Sequence, residues 1–130
     1  MPTLFIASGP HEGRWFPIRS KSLVVGRDES LLAQVVDPGV SRKHLQISYD
    51  TESDRYFALD LRSRNGVLVN GQKVSEQTQL KDDDLITIGQ TLLLFTMADI
   101  DNDQNALKFY RTRGMRDVPT ITEKQRRETP

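Results

Sequence analysis

A chain of 130 residues is long enough for one ordinary hydrophobic core, so we expect a single domain with an appended segment. Hydrophobic residues make up 36% of the chain and charged residues 28%, which is typical of a folded globular protein. The sequence contains no cysteine, which excludes disulfides, catalytic thiolates and cysteine-ligated zinc.

Positive and negative charges are balanced along the whole chain, and the formal net charge is zero. Residues 1–98 hold 11 Lys/Arg and 12 Asp/Glu, and residues 99–130 hold 7 and 6. We therefore expect no nucleic-acid partner. No apolar run reaches the length of a membrane span, and the N-terminus lacks the features of a secretory signal. These observations predict a cytoplasmic protein with no membrane partner.

Short β-type runs alternate with turn residues between residues 3 and 97, and no long helical period occurs there. Alternation of apolar and polar residues with period two predicts two neighbouring strands. In the first strand Leu45, Ile47 and Tyr49 share a face. In the second strand Phe57, Leu59 and Leu61 share a face. The acidic stretch 50–54 between them is predicted to be a hairpin loop. Further runs lie at 3–7, 15–18, 23–25, 67–69, 85–90 and 91–95. About ten strands at this spacing predict an all-β protein with a β-sandwich fold.

The sequence pattern changes after Met97, where an acidic stretch ends the series of strands. Residues 103–113 predict one short helix with Asp103 as its N-cap and Gly114 in the C-terminal cap position. Its shared face would hold Ala106, Phe109 and Tyr110. The remainder is poor in apolar residues and is expected to be flexible. We therefore divide the chain into a domain at 1–97 and a tail at 98–130.

Three short motifs follow one another, each at a point where a β-type run meets a loop. They are Gly26-Arg27, then Ser41-Arg42-Lys43-His44, then Ser63-Arg64-Asn65-Gly66 with Val69-Asn70-Gly71 behind it. A phosphate ester carries about −1.5 to −2 charges and three acceptor oxygens, so its site needs a guanidinium group, hydroxyl donors and backbone N–H groups. Arg27 supplies the first, Ser41 the second, and turns around Gly39 and Gly66 the third. An amide such as that of Asn65 both donates and accepts, so it can hold a peptide backbone.

Together these motifs resemble the signature of the forkhead-associated (FHA) domain family, which is Gly-Arg, Ser-x-x-His, Ser-x-Asn-Gly and a later Asn-Gly. The resemblance covers roughly residues 3–97 and implies an eleven-stranded β-sandwich that binds phosphothreonine peptides through loops at one end. It implies that Arg27 and Ser41 bind phosphate, that Arg42 and Arg64 occupy neighbouring ligand positions, and that Asn65 contacts the peptide backbone. It implies supporting roles for Gly26, His44, Ser63, Gly66, Asn70 and Gly71. The family often has smaller polar residues at positions 42 and 64, so the extra positive charge is expected to raise phosphate affinity and relax selectivity.

Plainer interpretations apply to some of these residues. His44 has no metal ligand or acid–base partner spaced with it, so we interpret it as a structural histidine that hydrogen-bonds the loops. For Asn70 a simple hairpin turn is preferred, whereas for Asn65 it is not. The acidic run 82–84 indicates a polar loop and not a metal site. The sequence has no Walker loop, nucleophile elbow or dinucleotide fingerprint, so we predict no enzyme activity and no cofactor.

The sequence therefore predicts an adaptor that binds a phosphothreonine-containing protein or peptide in a kinase-signalling pathway. The main alternative is a constitutive assembly domain of the same fold that needs no phosphate, and the third is an anion- or nucleotide-binding regulator. A further hypothesis is that Thr120 or Thr122, once phosphorylated, binds the Arg27 site of the same or a second molecule. The competing interpretation of these two threonines is a capping box for a terminal helix.

Overall fold

The computed structural model describes residues 1–19, 22–109 and 111–112, and in these ranges eleven strands and one short helix occur. The strands are β1 (Thr3–Ile6), β2 (Trp15–Pro17), β3 (Ser22–Gly26), β4 (Ala33–Gln34), β5 (Leu45–Asp50), β6 (Arg55–Asp60), β7 (Val67–Val69), β8 (Gln72–Lys73), β9 (Gln77–Leu80), β10 (Asp84–Ile88) and β11 (Thr91–Thr96). The helix is α1 (Asp103–Phe109). None of the described helical segments is long and apolar enough to cross a membrane.

The strands form two sheets, which confirms the predicted all-β, eleven-stranded β-sandwich. One sheet has six strands in the order β2-β1-β11-β10-β7-β8, and the other has five in the order β4-β3-β5-β6-β9. The strand pairs are antiparallel except β3 and β4, which run parallel. The Asn70-Gly71 turn joins β7 to β8 as predicted. Its two residues have φ of 50° and 82°, the positive values that a tight hairpin turn requires.

The main core lies between the inner faces of the two sheets. Leu45 and Ile47 of β5 are completely buried there, as their alternation predicts. The register pairs Ile47 with Ala58, so the core-facing residue of β6 is the small Ala58. Phe57 and Leu59 share a face, as predicted, but that face is the outer one, where both side chains are only half-buried.

A second apolar cluster covers the outer face of the six-stranded sheet. Ile100 and Ala106, which follow Met97 in the chain, are buried in this cluster with residues of β1 and β11. The ring of Phe109 stacks on Phe5 with 5.4 Å between the ring centroids. The segment that carries α1 therefore packs against the sandwich.

The cap of α1 differs from the prediction. Oδ1 of Asn102 accepts the backbone N–H of Asn105 at 2.8 Å, so Asn102 is the N-cap. The expected cap, Asp103, instead accepts the indole N–H of Trp15 at 2.8 Å, a partner 88 positions away that the sequence pattern does not show. The α-helix spans Asp103–Phe109, and residues 111–112 have a π-helical conformation. The expected last helical residue, 113, lies outside the described residues. Tyr110 and Gly114 lie outside the described residues.

Candidate functional site

Three loops meet at one end of the sandwich: residues 27–32 after β3, residues 35–44 between β4 and β5, and residues 61–66 between β6 and β7. Backbone hydrogen bonds join them, from Arg27 N to Ser41 O at 3.0 Å and from Leu61 N to His44 O at 3.0 Å. Between the loops lies a cavity of about 250 Å³ lined by Arg27, Pro38, Gly39, Val40, Ser41, Arg42, Arg64 and Asn65. All five residues that the sequence assigned to ligand binding therefore line one cavity.

Arg27 is oriented by one of its own guanidinium hydrogens. Its Nε donates to the carbonyl oxygen of Val40 at 3.0 Å. A guanidinium group has five N–H donors, so this bond leaves the four on the terminal nitrogens to bind an anion. The bond fixes the plane of the group before any ligand arrives, which lowers the entropy lost on binding.

Ser41 and Asn65 join two of the loops through their side chains. Oγ of Ser41 accepts the backbone N–H of Arg64 at 3.0 Å, which leaves the hydroxyl hydrogen of Ser41 to be donated. Nδ2 of Asn65 donates to the carbonyl oxygen of Gly39 at 2.9 Å, which leaves Oδ1 of Asn65 as an acceptor. One hydroxyl donor and one amide acceptor are thus held in fixed positions beside the Arg27 guanidinium group.

Arg42 forms a salt bridge with Asp28 at the edge of the cavity. Its Nη2 lies 3.2 Å from Oδ2 of Asp28, and its side chain is 74% exposed. Hydrogen bonds from Ser30 lower the pKa of the Asp28 carboxyl, and the nearby Arg42 lowers it further. Asp28 is therefore ionised at neutral pH and holds the Arg42 side chain at the edge of the cavity.

His44 is completely buried beneath the loops, and both of its ring nitrogens have backbone partners. Nδ1 accepts the N–H of Ser41 at 2.9 Å, and Nε2 lies 2.7 Å from the carbonyl oxygen of Gly66. Because Nδ1 accepts, the proton must sit on Nε2, which donates to Gly66. His44 thus connects two of the loops while its ring remains out of the cavity.

Gly26 allows two segments of backbone to approach each other closely. A Cβ atom at this position would collide with the carbonyl oxygen of Arg42. The same carbonyl accepts the N–H of Asp28 at 3.1 Å, which keeps the loop after β3 against residues 41–43. A side chain at position 26 would therefore separate Arg27 from Ser41.

Ser63 and Gly66 shape the loop that carries Arg64 and Asn65. The N–H of Ser63 donates to Oδ1 of Asp60 at 2.9 Å, and Oγ of Ser63 accepts the N–H of Gly66 at 3.0 Å. These local bonds close the loop on itself, so its two outward-facing residues have a defined backbone.

Asn70 and Gly71 do not line the cavity. The Asn70 side chain joins its hairpin to β10, since Nδ2 donates to Oδ1 of Asp84 at 2.9 Å and Oδ1 accepts the N–H of Leu85 at 2.9 Å. Asp82, in the same acidic run as Asp84, accepts hydrogen bonds from the Thr96 hydroxyl at 3.0 Å and from a backbone N–H. Within the described ranges, no group of three or more His, Asp or Glu side chains could hold a metal ion.

Asp37, which lies in the turn before Ser41, has a buried carboxylate. Its Oδ1 accepts the N–H of Gly39 at 2.8 Å, and its Oδ2 accepts the N–H of Gln90 at 2.9 Å and the hydroxyl of Thr91 at 2.8 Å. Burial raises the pKa of this carboxyl, but the three hydrogen bonds outweigh burial and hold the pKa below its ordinary value of 3.8. Its side chain therefore stays ionised and fixes the turn whose carbonyls hold Arg27 and Asn65. An Asp-Pro-Gly sequence before the serine is the one local signal of this role.

A larger cavity, of about 600 Å³, lies elsewhere, between β2 and α1. It is lined by Gly13, Arg14, Trp15, Phe16, Asp103, Ala106 and Leu107. Arg14 is the one cation among the described lining residues of this cavity, and Asp103 is acidic, so these residues offer an anion little to hold it. The smaller cavity at the loop end has the donors that a phosphate needs.

Comparison with known proteins gives the family. The model of the FHA domain matches residues 23–89, and FHA domain-containing protein FhaA of Mycobacterium tuberculosis is 36% identical over 85 residues. A solved structure from a study of phosphothreonine-dependent FHA domain interactions is 32% identical, with a TM-score of 0.66, over 76% of this chain and 98% of that one. The FhaA FHA domain in complex with the intracellular domain of Rv3910 is 33% identical, with a TM-score of 0.64, over 73% and 99%. The chain belongs to the FHA domain family, a family of protein-interaction modules.

The matches to these two longer proteins cover most of this chain but only a small part of each relative. The match to FhaA covers 65% of this chain but 16% of FhaA, and the match to protein phosphatase 2C 70 of Arabidopsis thaliana covers 20% of that protein. The similarity to these relatives is therefore confined to one domain of much longer chains.

Proposed function

We propose that this chain is a non-catalytic module that binds a phosphothreonine-containing partner in a kinase-signalling pathway. The observation that carries the proposal is the cavity at the loop end, where three arginines and one serine are lining residues and none of the described lining residues is acidic. Relatives studied in phosphothreonine-dependent interactions support the same function.

In this proposal the phosphate lies against the terminal nitrogens of Arg27. Ser41 donates its hydroxyl hydrogen to a phosphate oxygen, and Arg42 and Arg64 supply positive charge on either side. Charge-assisted hydrogen bonds are about twice as strong as neutral ones, so they dominate the affinity. Oδ1 of Asn65 accepts an N–H from the peptide backbone, which holds the peptide across the loops without reading its side chains.

The phosphate makes the interaction conditional. Three guanidinium groups around a small cavity repel one another, and a group that carries about −1.5 to −2 charges relieves that repulsion. A threonine hydroxyl is neutral and accepts fewer hydrogen bonds, so an unmodified peptide would leave most of the donors to water. Binding should therefore follow the action of a kinase on the partner.

Titration of one peptide in its phosphothreonine, phosphoserine and unmodified forms tests the function. We expect saturable binding of the phosphothreonine form and at least tenfold weaker binding of the unmodified form, because each charged hydrogen bond contributes roughly 1.5–3 kcal/mol. Equal binding of all three forms would instead support a constitutive assembly domain.

The variant Arg27→Ala tests the site. It should weaken phosphopeptide binding about tenfold to a hundredfold without unfolding the protein, since the side chain lies outside the core. Arg55→Ala is the matched control, because Arg55 is an exposed arginine beside the β5–β6 loop and does not line the cavity. Wild-type affinity in Arg27→Ala would refute the assignment.

We also propose that Thr120 or Thr122, once phosphorylated, binds the Arg27 site of the same or a second molecule. Both threonines lie outside the described residues. A synthetic phosphothreonine peptide copied from residues 115–127 provides the test. Saturable binding that Arg27→Ala abolishes would support recognition of the tail in the same or a second molecule. No binding at millimolar peptide would end the hypothesis and leave the capping-box interpretation.

A further inference from the structure

The larger cavity, of about 600 Å³ between β2 and α1, is separate from the proposed phosphate site. The two cavities share none of their described lining residues. Cavities that bind drug-sized ligands have volumes of about 300–1,000 Å³, so this one is large enough for a ligand. Its walls are mainly apolar and are formed by Trp15, Phe16, Ala106 and Leu107. It is therefore a second candidate binding site with a different chemistry.

β2 forms one edge of the six-stranded sheet, because β1 is its one neighbour among the described strands. Two hydrogen bonds fix the alternation of its backbone. Ile6 N donates to Arg14 O at 2.8 Å, and Ile18 N donates to Pro2 O at 2.9 Å. In an antiparallel ladder every second residue directs its N–H and C=O groups to the neighbouring strand. Positions 14, 16 and 18 therefore face β1, and the N–H and C=O groups of Trp15 point to the open edge.

The cavity runs along this open edge. Consecutive side chains of a strand point to opposite faces of the sheet, and both Trp15 and Phe16 line the cavity. Trp15 lies on the outer face, where its indole N–H donates to Asp103 of α1 at 2.8 Å. Phe16 lies on the inner face and belongs to the main core. Because residues from both faces line it, the cavity includes the space beside β2 in which a further strand would pair.

Both walls of the cavity are held in place by contacts within the chain. On the helix side, Ala106 is buried against the sheet and Phe109 stacks on Phe5. The indole hydrogen bond described above joins the strand side to α1. Leu107 nevertheless remains 46% exposed where it lines the cavity. A site that exists before the ligand arrives loses less entropy on binding.

We propose that this cavity binds an extended, unphosphorylated segment of a protein partner, which adds to the six-stranded sheet as a strand beside β2. In an antiparallel ladder, the partner residue opposite Trp15 exchanges two backbone hydrogen bonds with it. We call that residue the anchor. Its side chain shares the face of Trp15 and points toward Leu107. The anchor is aromatic or a large aliphatic residue, because the walls of the cavity stabilise a ligand by removing apolar surface from water.

The edge of β2 suits a short segment and not a long contact between two sheets. β2 has three residues, and Pro17 has no N–H to donate. Short edge strands that contain proline resist extended pairing with another sheet. In strand addition the main chain supplies the pairing and pockets for side chains supply the specificity. With so few backbone groups on this edge, the anchor supplies most of the affinity.

A display library of unphosphorylated random peptides of about eight residues, a length within the usual range of strands, is the probe. We expect the wild-type chain to enrich peptides with one aromatic or large aliphatic anchor among residues of high β propensity. Leu107→Lys should bind an enriched peptide about fivefold or more weakly, because it removes apolar wall and adds a charge. Asp103 lies four residues before position 107 on α1, so this substitution is compatible with the helix.

Met97→Lys is the matched control, since Met97 is 47% exposed but is not among the described residues that line the cavity. It should leave binding of the enriched peptide unchanged. Arg27→Ala should also leave it unchanged, because Arg27 lines the other cavity. A phosphothreonine peptide and an enriched peptide should bind one wild-type chain at the same time.

Methylation of single backbone nitrogens in an enriched peptide tests strand addition on the wild-type chain. At the anchor it removes the N–H that donates to the carbonyl oxygen of Trp15, so affinity should fall about fivefold or more. At the residues on either side the N–H points away from β2, so affinity should change little. Hydrogen exchange of the Trp15 amide should slow when the peptide binds. These measurements need no substitution in the chain, so they stand even if a variant misfolds.

The proposal is overturned if no peptide is enriched, if Leu107→Lys binds as Met97→Lys does, or if the position of the methyl group makes no difference. Loss of enriched-peptide binding in Arg27→Ala would assign the peptides to the other cavity. Displacement by a synthetic peptide copied from residues 113–130 would assign the cavity to the chain's own tail, and self-association that Leu107→Lys abolishes would assign it to a second copy; both refute a partner. None of these outcomes bears on the phosphate site, which the phosphothreonine titration tests separately.

Discussion

Replacing Asp37 with asparagine should loosen the turn that supports the candidate site while leaving the volume of the side chain unchanged. Both carboxylate oxygens accept hydrogen bonds, one from Gly39 and two from Gln90 and Thr91. An asparagine amide has one acceptor oxygen, and its nitrogen would face at least one of these donors. The side chain is only 3% exposed, so water cannot replace the lost partner.

The expected loss follows from the bonds that fail. One charge-assisted hydrogen bond contributes roughly 1.5–3 kcal/mol, and the donor left behind is buried. We therefore expect Asp37→Asn to lower the free energy of unfolding by about 2–3 kcal/mol at neutral pH. Because Gly39 and Val40 hold Asn65 and Arg27 through their carbonyl groups, phosphopeptide affinity should fall as well.

The loss should depend on pH in a defined direction. The folded-state pKa of Asp37 lies below its ordinary value of 3.8, so the carboxylate stabilises the fold at every pH well above that value. As the pH falls below about 4, the unfolded chain takes up a proton before the folded one does, and the wild type loses this contribution. The asparagine variant has no such contribution to lose, so the difference between the two proteins should shrink.

Urea denaturation of both proteins between about pH 7 and pH 3 measures this difference. Asp99→Asn is the control, because Asp99 is exposed and should be insensitive to the change. Stability of Asp37→Asn equal to that of the wild type at neutral pH would contradict the argument. A difference at about pH 3 as large as at pH 7 would contradict the depressed pKa.

Three further substitutions test the packing that supports the site. His44→Ala should lower the melting temperature at least as clearly as it lowers binding, because a buried group left unpaired costs about 1–3 kcal/mol; lost binding at an unchanged melting temperature would point to direct ligand contact. Gly26→Ala should destabilise the fold and weaken phosphopeptide binding, because its Cβ displaces the Arg42 carbonyl; calorimetry showing wild-type stability would refute the close approach. Phe109→Ala should lower the free energy of unfolding by about 1.5–3 kcal/mol through loss of its stack on Phe5. If denaturation gives the variant and the wild type the same free energy of unfolding, α1 does not support the sheet.

Strands with strong alternation could be predicted from the sequence, and the weak ones could not. β9 (Gln77–Leu80) has three polar residues in four and gives no apolar signal, yet it pairs with β6 along its length. β4 has two residues, and its pairing with β3 in parallel depends on the chain folding back around the Arg27 loop. Such edge strands form because a neighbouring strand offers unpaired backbone groups, and their own side chains contribute little.

The candidate site could be predicted from residues 26–71 of the sequence, because its functional groups belong to short motifs. A guanidinium group after a strand, a serine in a turn and an asparagine in a second turn are each visible as residue types at loop positions. The cavity could not be predicted from the sequence, because it forms where the backbone N–H of Arg64 donates to Oγ of Ser41. These two residues are 23 positions apart. His44 could be assigned to the loops from its spacing, but its two backbone partners could not.

The sequence by itself determined which short segments are extended, where the turns fall and which polar residues stand at the ends of strands, because alternation and turn preferences act over a few residues. The tertiary structure decided which face of β6 is buried, why Asp37 is ionised in the interior and why Asp103 binds Trp15 in place of capping its helix. Thr91 reaches Asp37 from 54 positions away, and Trp15 reaches Asp103 from 88. Contacts of that separation exist only after the two sheets have packed, since their energy comes from burial and hydrogen bonding between segments that no local pattern connects.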